Sequence, residues 1–440
     1  MAKFKEEKII FTSSPDARPT NMLLNKREFL QSMTGLVTLS QTRVDTALTA
    51  FQQQSPEEIA QNEKFWAEVR KGFTVTSEFI HLENGYYVLA SDEVLNTYIQ
   101  HVRDINKISS RYMRTRQFDD KLAVRKQLAE LVGASHEEVI ITRNTTESLD
   151  TIISGIDWKA GDEVVMALQD YGAMVDMFKQ QARRYGIVNK FVSVPNHPAS
   201  DDEIVTLYEQ AITPKTRLLM VCHIINITGH ILPIQKIADM AHARGVEVMV
   251  DGAHAVGHFD FKIPDLHCDY YGSSLHKWLG CPLGAGLLYV KKEKIKQIWP
   301  LLGETGYPDD DIRKLNHTGT HPVHTDLALA DAINYHKKIG IERKEARLRY
   351  LQTYWTSKVR NHPGIVVNTS ADPTRHGAIG NVGVAKLSPA ELAKTLMEKY
   401  KIWTVAIDYA NVHGVRVTPH LFTTTQELDT FVKALKELAG

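Results

Sequence analysis

The sequence has few cysteines, no excess of charge of either sign and no long apolar segment. Its three cysteines, Cys222, Cys268 and Cys281, are too few and too unevenly spaced for a disulfide framework, and they fit a reducing compartment. Lys+Arg and Asp+Glu total 52 each, so the net charge is zero. This balance favours neither a nucleic-acid partner nor binding to an anionic membrane surface. No apolar segment approaches the ~18 residues of a membrane-spanning helix.

The first 75 residues are poorly patterned and are predicted to be an N-terminal extension that ends in a helix near 56–73. Pro56, followed by acidic residues, is typical of a helix start. Within the extension, NKREFLQSMTGLVTLS (25–40) loosely resembles a twin-arginine export signal. It has Lys26 at the first basic position, polar residues in its apolar part and no clean cleavage site. We therefore expect a cytoplasmic protein, with export through this degenerate signal as the alternative.

Short apolar segments alternate with helical patterns from about residue 137 to about residue 330. The predicted strands are 137–142, 162–168, 190–194, 216–225 and 246–254. Their apolar residues are continuous rather than alternating, which is typical of a parallel sheet covered on both faces by helices. A long helical region at 326–362, broken at Gly340, and a mixture of strands and helices follow. We predict an α/β protein with a large domain at 76–330 and a small C-terminal α+β domain at 331–440.

Polar residues follow several of these strands. The carboxyl ends of parallel strands meet at one edge of a sheet, where ligands bind, so these side chains should converge. Those singled out are Asn144, Thr145, Thr146, Asp170, Tyr171, Asn226, Asp251, His254, Ser274, His276 and Lys277.

Each of these residues has an ordinary structural explanation when it is taken alone. Thr145 or Thr146 would cap a helix, Asp251 would form a turn and His254 would be a buried core histidine. Together they meet the needs of pyridoxal 5'-phosphate. Its aldehyde needs a lysine, its ring nitrogen an aspartate, its phosphate the free N–H groups of a helix start, and its ring a flat aromatic side chain.

Two motifs resemble a known family. VDGAHAVGH (250–258) is followed by SSLHKWLGCPLGAGLLYV (273–290), and Lys277 lies 26 positions after Asp251. The pair resembles the class V aminotransferase branch of the fold-type I pyridoxal phosphate enzymes, with the sub-pattern of isopenicillin N epimerase-like proteins, near the cysteine desulfurases and kynureninase. The resemblance spans about residues 80–440. It implies a seven-stranded, mainly parallel sheet covered by helices and a small C-terminal α+β domain.

The resemblance also implies a role for each residue at the cofactor. Lys277 would form the Schiff base and move the Cα proton, and Asp251 would pair with the ring nitrogen. His254 and Asn226 would approach the phenolic oxygen, and Tyr171 would stack on the ring. The phosphate would be held by Thr145, Thr146, Ser274 and His276. Thr320, in HTGTHP (317–322), would reach the phosphate from a neighbouring subunit, which implies a homodimer with shared active sites.

Two arginines are candidates for binding the substrate. Arg416, in GVRVTPHLF, resembles an arginine that holds a substrate carboxylate, with a structural ion pair as the alternative. Arg111, in KISSRYM, is a weaker candidate for a second contact. Val405 stands where cysteine desulfurases carry an arginine. His317, His321 and His324 lie close together, but Gly319 and Pro322 interrupt them, so we predict no metal site.

The reaction is left open between several outcomes. We predict a pyridoxal phosphate-dependent enzyme that acts on an amino acid through an external aldimine and a Cα carbanion, as an epimerase or a transaminase. No cysteine follows Cys281, which argues against persulfide-type desulfuration, whereas cysteine-independent C–S lysis stays open. A non-catalytic binding or regulatory protein on the same fold is the alternative of another class. Nucleotide-dependent chemistry lacks its glycine-rich motifs here.

Overall fold

The computed structural model describes residues 43–440. The export-like segment at 25–40 and the first part of the predicted extension lie outside the described residues. Three short helices come first, α1 (Arg43–Ala50), α2 (Pro56–Gln61) and α3 (Glu63–Arg70), and a short strand follows them, β1 (Ile80–His81). The helix start at Pro56 is confirmed, since Ser55 and Glu58 form a reciprocal capping box there.

A seven-stranded sheet forms the centre of the larger part of the chain. Its strands are β2 (Val139–Thr142), β3 (Glu163–Ala167), β4 (Val188–Val192), β5 (Thr216–Cys222), β6 (Glu247–Asp251), β7 (Tyr270–Ser274) and β8 (Gly286–Val290). Their order across the sheet is β2-β8-β7-β6-β5-β3-β4. All neighbours are parallel except that β8 runs antiparallel to both β2 and β7. The predicted mainly parallel sheet is confirmed.

Both faces of this sheet are buried, which explains the continuous apolar strands. Val165 and Leu219 belong to one apolar cluster, whereas Val164 and Leu218, their immediate neighbours, belong to a second cluster on the opposite face. Helices that follow β1 along the chain are α4 (Asp92–Ile108), α5 (Ser110–Thr115), α6 (Gln117–Leu131), α7 (Thr145–Gly155), α8 (Gly172–Tyr185), α9 (Asp201–Ala211) and α10 (Ile234–His242).

The C-terminal part carries a second, smaller sheet. Its elements are α11 (Val323–Ile339), α12 (Ile341–Val359), β9 (Ile365–Val367), β10 (Gly380–Val384), α13 (Pro389–Tyr400), β11 (Ile402–Trp403), β12 (Val405–Tyr409), β13 (Val412–Val417) and α14 (Thr425–Ala439). Four of these strands form an antiparallel sheet in the order β12-β13-β10-β9, and β11 pairs in parallel with β1. The small C-terminal α+β unit is therefore confirmed, while the boundaries at residues 75 and 330 stay predictions.

A glycine separates the two long helices of the C-terminal part, and short 3-10 helices lie between the main elements. Gly340, at φ 86°, separates α11 from α12, as predicted. Short 3-10 helices lie at Ile263–Leu266, Lys292–Gln297, Ile312–Asn316 and Pro373–Arg375. Between residues 43 and 440, no helix is long and apolar enough to cross a bilayer.

Candidate active site

The predicted strand-end residues converge on one cavity of about 290 Å³. All but three of the predicted residues line it. Those that do are Asn144, Thr145, Thr146, Tyr171, Asn226, Asp251, His254, Ser274, His276, Lys277 and Arg416. Asp170 lies outside the cavity, and its Oδ2 accepts a hydrogen bond from the backbone N–H of Ala167 at 2.8 Å. The lining residues come from both sheets, because Arg416 lies on β13 and most of the others follow strands of the large sheet. The cavity therefore has a wall supplied by each sheet.

Lys277 lies in the turn after β7, and its amine contacts a histidine. Its Nζ is 3.0 Å from Nε2 of His254, whose Nδ1 accepts a hydrogen bond from Nε1 of Trp278 at 3.2 Å. Because Nδ1 is an acceptor, the proton of a neutral His254 is on Nε2, from which it is donated to Lys277 when that amine is neutral. Burial holds the pKa of His254 well below its usual value.

Burial also lowers the pKa of Lys277, to about 8, although the nearby Asp251 carboxylate opposes this shift. A lysine with an ordinary pKa is almost entirely charged near neutral pH. At a pKa of about 8, roughly one-tenth of the amine is neutral at about pH 7. Lys277 is therefore an amine that can act as a nucleophile or a base.

Asp251 ends β6 and is buried at the cavity. Its Oδ1 accepts a hydrogen bond from the backbone N–H of Ala253 at 3.0 Å, and burial raises its pKa. A buried carboxylate is most stable beside a positive or donating group. The protonated ring nitrogen of pyridoxal phosphate is such a group, so this position fits the cofactor.

The start of α7 also lines the cavity. The backbone N–H of Thr145 donates to Oγ of Ser274 at 2.9 Å, and the two hydroxyls are 2.7 Å apart. Nδ1 of His276 is buried and has no hydrogen-bond partner within residues 43–440, and burial lowers the pKa of this histidine to about 4. A Cβ at Gly286 would lie 2.6 Å from the backbone nitrogen of Asn144, so only glycine lets β8 approach this helix start so closely. Hydroxyls and helix N–H groups fit a phosphate.

Arg416 lines the cavity and is also ion-paired, so the predicted ion pair is present, while binding of a substrate carboxylate stays a prediction. Its Nε donates to Oε2 of Glu83 at 3.1 Å, and its Nη2 donates to Oε1 of the same carboxylate. Its Nη1 donates to the backbone oxygen of Asn226 at 3.3 Å. Sequence reasoning missed Glu83, because the pair is separated by 333 residues and nothing in the local pattern marks that carboxylate.

Cys222 is a second residue of the cavity that sequence reasoning did not place there. Its thiol ends β5, and burial, the largest cause, raises its pKa well above the usual value of 9.0. The thiols of Cys268 and Cys281 are also buried, and their pKa values are raised. All three thiols therefore stay protonated near neutral pH, which makes them poor nucleophiles.

Of the remaining predicted residues, Tyr171 lines the cavity, whereas Arg111 and Thr320 lie outside it. Tyr171 occupies the N-cap position of α8 without a side-chain capping hydrogen bond, and its exposed side chain lines the cavity. Arg111 lies on α5, is exposed and does not line the cavity. Thr320 is likewise exposed and outside the cavity of its own chain, in a loop followed by His321, which contacts Asp326 at 2.8 Å. Within the part of the chain that the structure describes, no group of three or more acidic, histidine or cysteine side chains is placed to hold a metal ion.

Comparison with known proteins gives a consistent result. A family model described as Aminotransferase class-V matches residues 90–419. Isopenicillin N epimerase of Amycolatopsis lactamdurans is 31% identical over 337 residues, which cover 72% of this chain and 84% of that protein. A cysteine desulfurase of Haloferax volcanii is 27% identical, over 69% of this chain and 74% of that protein.

Solved structures share the fold. A cysteine desulfurase from Thermococcus onnurineus NA1 matches with a TM-score of 0.74 and 23% identity, over 85% of this chain and 98% of that chain. A C-DES mutant with glycine covalently linked to its PLP cofactor matches with a TM-score of 0.76 and 20% identity, over 84% and 99%. The cofactor is pyridoxal 5'-phosphate, for which the cavity supplies a lysine, a buried aspartate and a phosphate cradle. The chain belongs to the class V aminotransferase family of pyridoxal phosphate-dependent enzymes.

Proposed function

We propose that this enzyme acts on an α-amino acid and that Lys277 moves the proton on the substrate Cα. The observation that carries the proposal is the placement of a lysine with a lowered pKa and an arginine in one cavity. The positive charge of Arg416 itself contributes to the low pKa of Lys277, so the two groups are electrostatically close. An amine beside Cα and a guanidinium at the carboxylate are what an α-amino acid needs.

Each side chain of the cavity is proposed to bind one part of the cofactor or the substrate. Pyridoxal phosphate, when bound, supplies an aldehyde for an amine and a ring that withdraws electrons from Cα. Asp251 holds the positive ring nitrogen, and the start of α7 with Ser274 and His276 holds the phosphate. Arg416 binds the substrate carboxylate. His254, which hydrogen-bonds to Nζ of Lys277, holds that amine where it can accept the Cα proton and return it.

Epimerisation is the first candidate for the reaction, because relatives 31% and 28% identical to this chain are isopenicillin N epimerases. Cysteine-independent C–S lysis is the second. The observation that favours it over persulfide-type desulfuration is the buried, protonated state of all three thiols. Transamination shares the same first proton transfer. The predicted non-catalytic alternative is tested by the same experiment.

The experiment is a panel of amino acids incubated with the holoenzyme in deuterated water. Deuterium at Cα with loss of chirality indicates epimerisation, a 2-oxo acid indicates transamination, and pyruvate with a released thiol indicates C–S lysis. Lys277→Ala should abolish exchange and borohydride-fixed cofactor. Lys292→Ala, at an exposed lysine paired with Glu137, is the matched control and should change neither. If no amino acid exchanges its Cα proton, the proposal is wrong.

The proposed enzyme is a homodimer in which Thr320 of each subunit reaches the cavity of the other. Support comes from the exposed position of Thr320 outside its own cavity, and from Tyr86 and Leu283, which line that cavity with 72% and 57% of their surface exposed. Sedimentation should give a dimer. Thr320→Val should weaken pyridoxal phosphate binding, whereas Thr318→Val should not. A monomer that binds the cofactor at full affinity would contradict this arrangement.

A further inference from the structure

We infer that Glu83 is a positioning residue that fixes Arg416 as a two-pronged clamp for the substrate carboxylate. The inference rests on the proposed amino-acid substrate and goes beyond it. It assigns the selection of the carboxylate to a residue that does not line the cavity and acts through the arginine.

The hydrogen bonds of Arg416 support this assignment. A guanidinium has five N–H groups. Two of them, on Nε and Nη2, go to the two carboxylate oxygens of Glu83, and one on Nη1 goes to the backbone oxygen of Asn226. Two N–H groups remain, one on each terminal nitrogen. A pair of N–H groups on the two terminal nitrogens is one of the edges at which arginine binds a carboxylate in a bidentate manner.

The carboxylate of Glu83 is held in place by a backbone hydrogen bond and by burial. Its Oε1 also accepts a hydrogen bond from the backbone N–H of Tyr86 at 3.1 Å, and its side chain is buried, with 7% of its surface exposed. Displacing it would leave a buried carboxylate without its cation, which is a costly arrangement. A substrate carboxylate is therefore expected to bind beside Glu83 and not in its place.

The backbone around Glu83 is joined to the strand that carries Arg416. The backbone N–H of Asn84 and that of Gly85 donate to Oγ1 of Thr418 at 2.5 and 3.0 Å, and Nδ2 of Asn84 donates to the backbone oxygen of Thr418 at 2.8 Å. Thr418 directly follows β13. A Cβ at Gly85 would lie 3.1 Å from Cζ of Arg416, so the glycine lets the main chain approach the guanidinium closely. The carboxylate and the arginine are thus parts of one rigid frame.

Glycine and methylamine are the probes that test this inference, because they differ only in the carboxylate. Their binding to the holoenzyme is followed by the change in the visible absorption of the cofactor. Glu83→Gln places an amide N–H against the guanidinium, so glycine should bind about tenfold more weakly and methylamine within about twofold of wild type. Glu83→Asp keeps the charge and should recover part of the glycine affinity. Glu78→Gln, at an exposed glutamate five positions earlier, is the matched control and should bind both probes as wild type does.

Cofactor content and melting temperature establish that each variant is folded before binding is compared. If Glu83→Gln binds glycine as tightly as wild type or more tightly, Glu83 competes with the substrate and the inference is wrong. Arg416→Gln distinguishes a failure of the arginine clamp from a failure of the role assigned to Glu83. If it binds glycine at wild-type affinity, the arginine clamp of the proposed function fails. If it weakens glycine while Glu83→Gln does not, only the role of Glu83 fails.

Discussion

Replacing Lys277 with methionine should stabilise the apoenzyme near neutral pH. The pKa of Lys277 is lowered from 10.5 to about 8 in the folded chain, mainly by burial. At ~1.36 kcal/mol for each pKa unit, the charged amine destabilises the folded state by up to about 3 kcal/mol. Water that enters the cavity reduces this value. Methionine has a similar length and carries no charge, so the variant removes the destabilisation.

The pH dependence distinguishes this effect from any change in packing. Between about pH 8 and about pH 10.5 the unfolded chain keeps the lysine proton that the folded chain has lost, so the free energy of unfolding of the wild type rises with pH across that window. The advantage of Lys277→Met should be largest below about pH 8 and should disappear near pH 10.5. The variant also loses the hydrogen bond that His254 donates to the neutral amine. That cost arises only where the lysine of the folded wild type is neutral, so it adds to the same pH dependence.

Urea unfolding of the two apoenzymes at about pH 7 and about pH 10 measures the effect. Lys292→Met, at an exposed lysine, is the control and should show no such pH-dependent difference. A difference between Lys277→Met and wild type that is equal at both pH values would refute the reasoning, because it would mean that the amine titrates as a solvated lysine does. The same burial that destabilises the apoenzyme is what makes the neutral amine available for chemistry.

Three further substitutions test other parts of the site. Asp251→Asn removes the carboxylate that is proposed to hold the ring nitrogen and should slow Cα exchange in deuterated water by about 100-fold or more. Because the Asp251 carboxylate raises the pKa of Lys277, the pKa of this amine in the apoenzyme should also move below about 8. Gly286→Ala places a Cβ 2.6 Å from the backbone nitrogen of Asn144 and should weaken pyridoxal phosphate binding about tenfold in a fluorescence titration, whereas Gly284→Ala, at a glycine with open space around it but at φ 90°, should show only a local backbone effect on stability. Gly85→Ala crowds Arg416 and should weaken glycine about tenfold while leaving methylamine unchanged; equal losses for both probes would contradict a carboxylate clamp.

The parts of the fold that local pattern determines were predictable from the sequence. The parallel sheet followed from continuous apolar strands, because each strand is buried on both faces. The break at Gly340 followed from a glycine inside a helical pattern, and the start of α2 followed from proline and acidic residues. The convergence of the polar side chains on one cavity was predictable for the same reason, since residues that follow parallel strands share one edge of the sheet.

The substrate side was less predictable, because it depends on contacts between distant segments. The pairing of β1 with β11 and the contact between Glu83 and Arg416 join residues more than 300 positions apart, and no local spacing records them. The prediction of one helix near 56–73 missed its division at Asn62, whose side chain caps α3. That asparagine accepts two backbone hydrogen bonds, which a periodicity argument does not weigh.

The pairing of Glu83 with Arg416 has a consequence for the order in which the chain matures during synthesis. The lysine, the aspartate and the phosphate cradle have all left the ribosome well before β13 is made, whereas the carboxylate of Glu83 must wait 333 residues for its partner. The residues of the cavity edge are therefore made long before the arginine that is proposed to bind a substrate carboxylate. Because Val412, Leu421 and Phe422 also belong to the core cluster of the large sheet, that core too is complete only after β13 has been made.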